Sequence, residues 1–260
     1  MASALSSAIN NVKYADMKVN NGGTWTSAKE VWVNNGSWVE PKEIWANDGG
    51  TWKRVTTQLR YIKFNGSSSQ LNCGSYFNCY IDGTTTCYYE FTFILTSIAS
   101  VQTLFSYGTD ATYFTIEVGT DGKVYVRSRF DSGTLRVVTH ATVLSLNTIY
   151  LVRVEANSDV TIRLRSYTGA TIGTDISGIL GASINTTTKY IGMKYNSSNY
   201  FSGYLLDINM FGGTYGGTDY RHDANSLLSS TIGSTTVTDS YTTDGSQNLS
   251  GSNLSIAVTG

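Results

Sequence analysis

The stretch Tyr88-Tyr-Glu-Phe-Thr-Phe-Ile-Leu95, with its counterpart Ile149-Tyr-Leu-Val-Arg-Val-Glu-Ala156, decides the fold. In both, apolar side chains recur mainly at every second residue, so that one face can meet a core while the other meets solvent. The same alternation continues in both directions from Arg60 onward, broken by turn residues about every eight to twelve positions, the spacing of a β-sandwich. Candidate strands are Arg60–Phe64, Tyr88–Leu95, Gln102–Ser106, Tyr113–Val118, Lys123–Arg129, Leu135–Thr139, Ile149–Ala156, Val160–Tyr167, Tyr190–Tyr195 and Phe201–Met210. No amphipathic helix competes with them. Composition agrees: the 260 residues include 26 Gly, 18 Tyr and a single Pro, and are otherwise rich in Ser, Thr and Asn. This mixture disfavours helices and suits short strands and turns. A chain of this length can bury roughly 70% of its extended surface without disulfide staples.

Charge narrows the partners. Eighteen Lys and Arg against nineteen Asp and Glu leave a net charge of -1, with no broad positive field to attract phosphate backbones or anionic lipid. Nucleic acid and membrane insertion are therefore not expected. The three cysteines, Cys73, Cys79 and Cys87, are an odd number without metal-ligand spacing, so they are expected as buried or incidental thiols in a reducing cytosol. The opening MASALSSAINNVKYADMK lacks a basic segment followed by an apolar one, and no secretion signal or membrane span is expected.

Between Asp16 and Val55 the chain repeats itself: DMKVNNGGTW, EVWVNNGSW and EIWANDGGTW align with one residue missing from the middle copy. Trp25, Trp38 and Trp52 follow the Gly turns at a period of about 13 to 14 residues, too short for a solenoid unit. Trp32 and Trp45 lie between them, and no other tryptophan occurs in the chain. Each unit reads as strand, tight Asn/Asp-Gly turn and strand. A ribbon this small cannot hide several indoles that each bury about 150 to 250 Å². They are expected to pack on the rest of the chain or, in the reading preferred here, on identical ribbons or an assembly partner. The division is residues 1–58, the repeat segment, and residues 59–260, the sandwich.

These residues carry two resemblances. MKVNNGGTWTSAKEVWVNNGSWVEPKEIWANDGGTWKRV resembles repeats near the N-termini of tailed-bacteriophage tail and fibre proteins. From Arg60 to Gly260 the chain resembles a concanavalin A-like jelly roll of the laminin-G type. YIKFNGSSSQLNCGSYF resembles the family's opening strand, FTFILTS its second, LFSYGTDATYFTIEVGTDGKVYVR the next hairpin pair, and FSGYLLDINMF the recurring F-x-G-x-I-D strand. LLSSTIGSTTVTDSYTTDGSQNLSG is similar to an element that adjoins such domains. The resemblances imply a virion appendage assembled in a host cytoplasm, a homo-oligomer with a trimer favoured, contacts with other virion proteins, and Trp25, Trp32, Trp38, Trp45 and Trp52 as the assembly anchor.

Signs of catalysis are sparse. Jelly rolls that cleave glucans place acids at alternate positions of one strand. Here Glu40, Glu43, Glu90, Glu117 and Glu155 stand apart, although distant acids could still meet in the fold. His140 and His222, the only histidines, lack a nucleophile turn. Asp110, Asp121, Asp131, Asp175 and Asp239 fall in loops without calcium-loop spacing and read as turn caps. No enzyme activity, metal or cofactor is expected. Recognition remains. Sugars present an apolar C–H face and a hydroxyl edge, which asks for a ring beside amides or carboxylates. Tyr195-Asn196-Ser197-Ser198-Asn199-Tyr200 offers this, as do Tyr107-Gly108-Thr109-Asp110 and Thr112-Tyr113. The expected glycan contacts are Tyr107, Tyr113, Tyr195, Asn196, Asn199 and Tyr200, directed at a host-surface glycan. The alternatives are a purely structural virion protein, in which these rings are packing, and a glycan depolymerase.

Overall fold

Short strands adjacent in sequence pair in antiparallel fashion along the first part of the chain. A computed structural model describes residues 18–21, 24–27, 33–34, 38–39, 45–48, 51–54, 60–74, 86–130, 133–157, 159–166, 169–179, 188–212, 220–222, 236–237, 249–252 and 255–258. The chain divides into two compact units near Arg60. In the first, β1 (Lys18–Asn21) pairs with β2 (Thr24–Ser27), β3 (Val33–Asn34) with β4 (Trp38–Val39), and β5 (Trp45–Asp48) with β6 (Thr51–Arg54), all antiparallel. The register repeats with the sequence: Asn20 faces Trp25, Asn34 faces Trp38 and Asn47 faces Trp52. Three antiparallel strand pairs thus fall within the three repeat units, while the turns between them lie outside the described residues. Trp32 and the surroundings of the other four indoles lie outside the described residues.

The second unit contains β7 (Arg60–Asn65), β8 (Gln70–Gly74), β9 (Cys87–Leu95), β10 (Gln102–Gly108), β11 (Tyr113–Val118), β12 (Lys123–Arg129), β13 (Arg136–Val143), β14 (Ile149–Ala156), β15 (Asp159–Ser166) and β16 (Ile176–Ile179). It continues through β17 (Lys189–Ile191), β18 (Ser202–Gly212), β19 (Tyr220–His222), β20 (Thr236–Val237), β21 (Leu249–Ser252) and β22 (Ser255–Val258). One sheet runs β13-β12-β11-β10-β17-β8-β21-β20, and the other runs β16-β15-β14-β9-β18-β7-β22 with β19 beside β18. The expected all-β sandwich of two antiparallel sheets is therefore observed.

Alternation builds its core. Tyr89, Phe91, Phe93 and Leu95 project from β9, and Phe105, Tyr107, Phe114, Ile116 and Val118 project from β10 and β11, all of them buried. Rings meet between the sheets, Tyr89 lying 4.9 Å from Phe105 and 5.2 Å from Phe114 between centroids. Such aromatic pairs add about 0.5–1.5 kcal/mol beyond their buried area. Cys73 is a free buried thiol, pushed up to about 12 by burial. Cys87 is disulfide-bonded to a partner outside the described residues, which corrects the expectation of incidental thiols throughout.

Several strand bounds differ from the sequence reading, and β8, β16, β19, β20, β21 and β22 were not among the candidate strands. The expected Tyr190–Tyr195 strand stops at Ile191, because Gly192 turns the chain with φ of 80°. A Cβ there would come within 2.1 Å of the Phe64 ring, so only glycine fits. Strand β8, short and carrying Asn and Gly, had no alternation long enough to read.

Candidate functional site

Strand β11 places Tyr113, Thr115 and Glu117 on the face away from the core, opposite Arg129, Arg127 and Tyr125 of β12. On its other side β10 brings Gly108 against Tyr113, Ser106 against Thr115 and Thr103 against Glu117. An outward face of this kind ordinarily meets water. Here Thr103, Ser106 and Thr115 are 0% exposed and Glu117 is 2% exposed. The segment 192–201 closes over them. The Gly192 N–H donates to the Leu104 carbonyl at 3.0 Å, the Thr103 N–H to the Asn199 carbonyl at 2.8 Å, and the Ser106 hydroxyl to the Met193 carbonyl at 2.7 Å.

At the rim of this cover the Tyr195 ring lies on the Tyr113 ring, with centroids 5.2 Å apart and planes inclined by 30°. The Lys194 ammonium stands 5.3 Å from the Tyr113 centroid and 5.5 Å from that of Tyr195, a cation–π arrangement shared by both rings. Asp110 is hydrogen-bonded to the Tyr195 hydroxyl. Burial first, then the Asp110 charge, pushes that hydroxyl well above the ordinary phenol range. The Tyr113 hydroxyl is raised by burial and by the Glu117 charge, while Arg129 and Arg127 oppose the shift. Two tight turns hold the pair. The Lys194 N–H donates to the Ser198 carbonyl at 2.9 Å, and the Thr109 N–H to the Thr112 carbonyl at 2.7 Å. Gly108 permits the second turn: its φ is 124°, and a Cβ would meet the Thr112 carbonyl at 2.3 Å.

The fold thus unites Tyr113 and Tyr195, with the exposed Asn196 next along the turn, where it accepts the Ser198 hydroxyl at 2.6 Å. Asn199, at φ of 50°, contributes through its carbonyl, and Tyr200 is half-buried at the far end of the same segment. Tyr107 is a correction: it is 1% exposed, packs 5.4 Å from Phe114 inside the sandwich and cannot touch an external sugar. Sequence reading missed Lys194, Thr103, Thr115 and the Glu117–Arg127 ion pair, whose closest distance is 2.9 Å. Period two in YFTIEV and KVYVRSR was the available signal.

A second polar array lies on the other sheet. Glu90 of β9 pairs with Arg153 of β14 and accepts from Asn209 of β18 at 3.0 Å. Arg163 of β15 donates to Glu155 at 2.9 Å and to Asp175 at 2.6 Å, and Arg165 donates to Asp175 at 2.8 Å. Two acids distant in sequence, Glu155 and Asp175, therefore do meet, but each is held by a guanidinium. The Arg165 hydrogen bond, with Arg163 adding to it, holds the Asp175 carboxyl down at about 2. Such a group has no proton to give at neutral pH, as a glycosidase acid must. His140 is buried in β13 and lowered by that burial, with Asp175 opposing the shift. Asp121 caps its turn as expected, accepting the Lys123 N–H at 3.2 Å and the Tyr125 hydroxyl at 2.8 Å. Asp131, Asp239 and the His222 side chain lie outside the described residues.

No protein-family model matches the chain, and no curated protein matches it in sequence. Solved structures are similar in fold. Domains LG4-5 of the mouse laminin alpha1 chain align with 14% identity and a TM-score of 0.47, covering 61% of this chain and 43% of that one. The chain thus spans less than half of that laminin fragment. The CBM40 of the Ruminococcus gnavus IT-sialidase aligns with 13% identity and a TM-score of 0.42, covering 58% and 90%. The enzymatically active domain of bacteriophage CBA120 tailspike protein 2 aligns with 10% identity and a TM-score of 0.43, covering 66% and 28%.

Proposed function

We propose that the protein is a bacteriophage virion appendage, of tail-fibre or receptor-binding type, whose sandwich binds a host-surface glycan without cleaving it. The observation that carries the sugar reading is the Tyr113–Tyr195 stack, with Lys194 against both rings, Asp110 on the Tyr195 hydroxyl and the exposed Asn196 amide beside it. A half-exposed ring offers a surface for sugar C–H groups, while the amide, ammonium and carboxylate offer hydroxyl partners. The virion half of the reading rests on the resemblance of the Trp/Gly repeats, with the five tryptophans as the anchor. A trimer would present several sites to one surface and raise avidity by about 10²–10⁴ over a single site.

A purely structural virion role is the second reading. Val137 and Val143 of edge strand β13, Ile179 of edge strand β16, and Leu135 and Leu146 beside β13 are exposed and favour it, because large apolar side chains left exposed at sheet edges are surfaces that a neighbouring subunit can cover. Binding of the full chain to host cells, before and after enzymatic stripping of surface polysaccharide, separates the two. Saturable binding that disappears on stripping and with Tyr195→Ala supports the glycan reading. Equal binding to stripped cells, or none, rejects it in favour of the scaffold.

A further inference from the structure

Under the Tyr113–Tyr195 stack the outward face of β10 and β11 holds a set of polar atoms without partners. The hydroxyls of Thr103 and Thr115 and Oε1 of Glu117 are buried and make no hydrogen bond, while the other Glu117 oxygen faces Arg127. Thr103 lies directly opposite Glu117 in the ladder, and Thr115 is its neighbour on the same face, so the three atoms share one patch. A buried polar group left unpaired is unfavourable, and three on neighbouring positions of one face do not arise from a single rotamer. The patch continues upward into the ring pair: Glu117 acts electrostatically on the hydroxyls of both Tyr113 and Tyr195. The cover above it is the segment that carries Tyr195, hung on backbone hydrogen bonds to Leu104 and Thr103 and on the Ser106 hydroxyl.

We infer that Thr103, Thr115 and Glu117 are the floor of the glycan site, closed here by the Tyr195 turn, and that a sugar hydroxyl donates to Glu117 Oε1 while its neighbours pair with the two threonines. The inference rests on the glycan reading above. The ligand class it selects is a pyranose with adjacent free hydroxyls. The floor makes the site discriminating, because a deoxy or O-methylated analogue leaves Glu117 unpaired, and sites built to pair a hydroxyl reject analogues that lack it.

The test uses the full chain on a microarray of bacterial polysaccharides and oligosaccharides that includes O-methylated and deoxy analogues, together with thermal denaturation of each variant. Thr115→Val keeps the shape and removes the orphaned hydroxyl. It is expected to raise Tm by about 2–4 °C, yet to weaken the strongest array signals about tenfold. Glu117→Gln is expected to remove the preference for unmodified over O-methylated sugars, with Arg127→Gln as a control that disturbs Glu117 from the other side. Wild-type binding that is lost with Tyr195→Ala but unchanged by Thr103→Val, Thr115→Val and Glu117→Gln overturns the floor and leaves the ring site standing. A fall in Tm for both valine variants with unchanged binding also overturns it, since the hydroxyls then have a structural partner. Absence of any wild-type signal removes the glycan reading and the floor together.

Discussion

The two sheets carry similar side chains on their outward faces and use them differently. Across β9, β14 and β15 the charges are spent on one another: Glu90 on Arg153, Glu155 on Arg163, and Asp175 on both Arg163 and Arg165. Across β10 and β11 only half of Glu117 is spent, and Thr103 and Thr115 face no partner although both are fully buried. A ladder whose groups are mutually satisfied has little left to offer a ligand. A face that buries unsatisfied polar atoms beneath an aromatic rim retains hydrogen-bonding capacity, on which the proposed site draws. Identical chemistry, carboxylate and guanidinium on adjacent strands, is thus fully paired on one sheet and half-paired on the other, and the proposed glycan site rests on that difference.

The comparison can be broken most severely at Gly192. Gly192→Ala forces a left-handed residue into the Phe64 ring, and should cost about 3 kcal/mol in chemical denaturation and abolish glycan binding by dislodging the cover. On the satisfied face, Arg163→Ala strands Glu155 and Asp175. The group is about one-third exposed, so a loss of about 1–2 kcal/mol is expected, with binding unchanged within about twofold. A larger binding defect would mean that the two faces are not independent. Tyr195→Ala should do the reverse, weakening binding by about tenfold or more, at least about 1.4 kcal/mol, while the lost ring stack costs the fold only about 0.5–1 kcal/mol. The smallest effect is in pH. Asp175 is depressed to about 2 from the usual 3.8, so its ion pairs stabilise the fold above about pH 4 and are lost as pH falls toward 2. The contribution is at most about 1 kcal/mol after solvent screening. His140 adds a separate step of the same sign: its lowered value means that stability present above about pH 6.5 declines as the pH drops and the buried ring must take a proton. Acid denaturation of wild type beside Asp175→Asn and His140→Gln separates the two steps.

Much of this fold was legible because alternation is a local property. Tyr88–Leu95 and Ile149–Ala156 announce one buried face and became central, paired neighbours, β9 and β14. Short elements such as β8 and β16 are stabilised by partners elsewhere in the chain, and nothing within four or five residues could announce them. The site was legible in part. Tyr113 and Tyr195 were selected for being aromatic residues near polar loop residues, and the fold stacks them although 82 positions separate them (195 minus 113). Tyr107 satisfied the same local description but faces the core, since its strand runs to Gly108 and fixes its side. Glu117 reads in the sequence as an isolated acid, for the opposite reason. An isolated acid in a strand looks solvated until a distant segment, 192–201, is found lying over it.

The most direct test of the difference between the two faces is amide chemical-shift mapping of the isotope-labelled full chain, titrated with the oligosaccharide giving the strongest array signal. Saturable shifts confined to 103–117 and 192–201, with the amides of Glu90, Arg153 and Arg163 unmoved, are the predicted result. Shifts centred on the β9–β14–β15 ladder, or along the apolar β13 edge with the Tyr195 turn unaffected, would contradict the account.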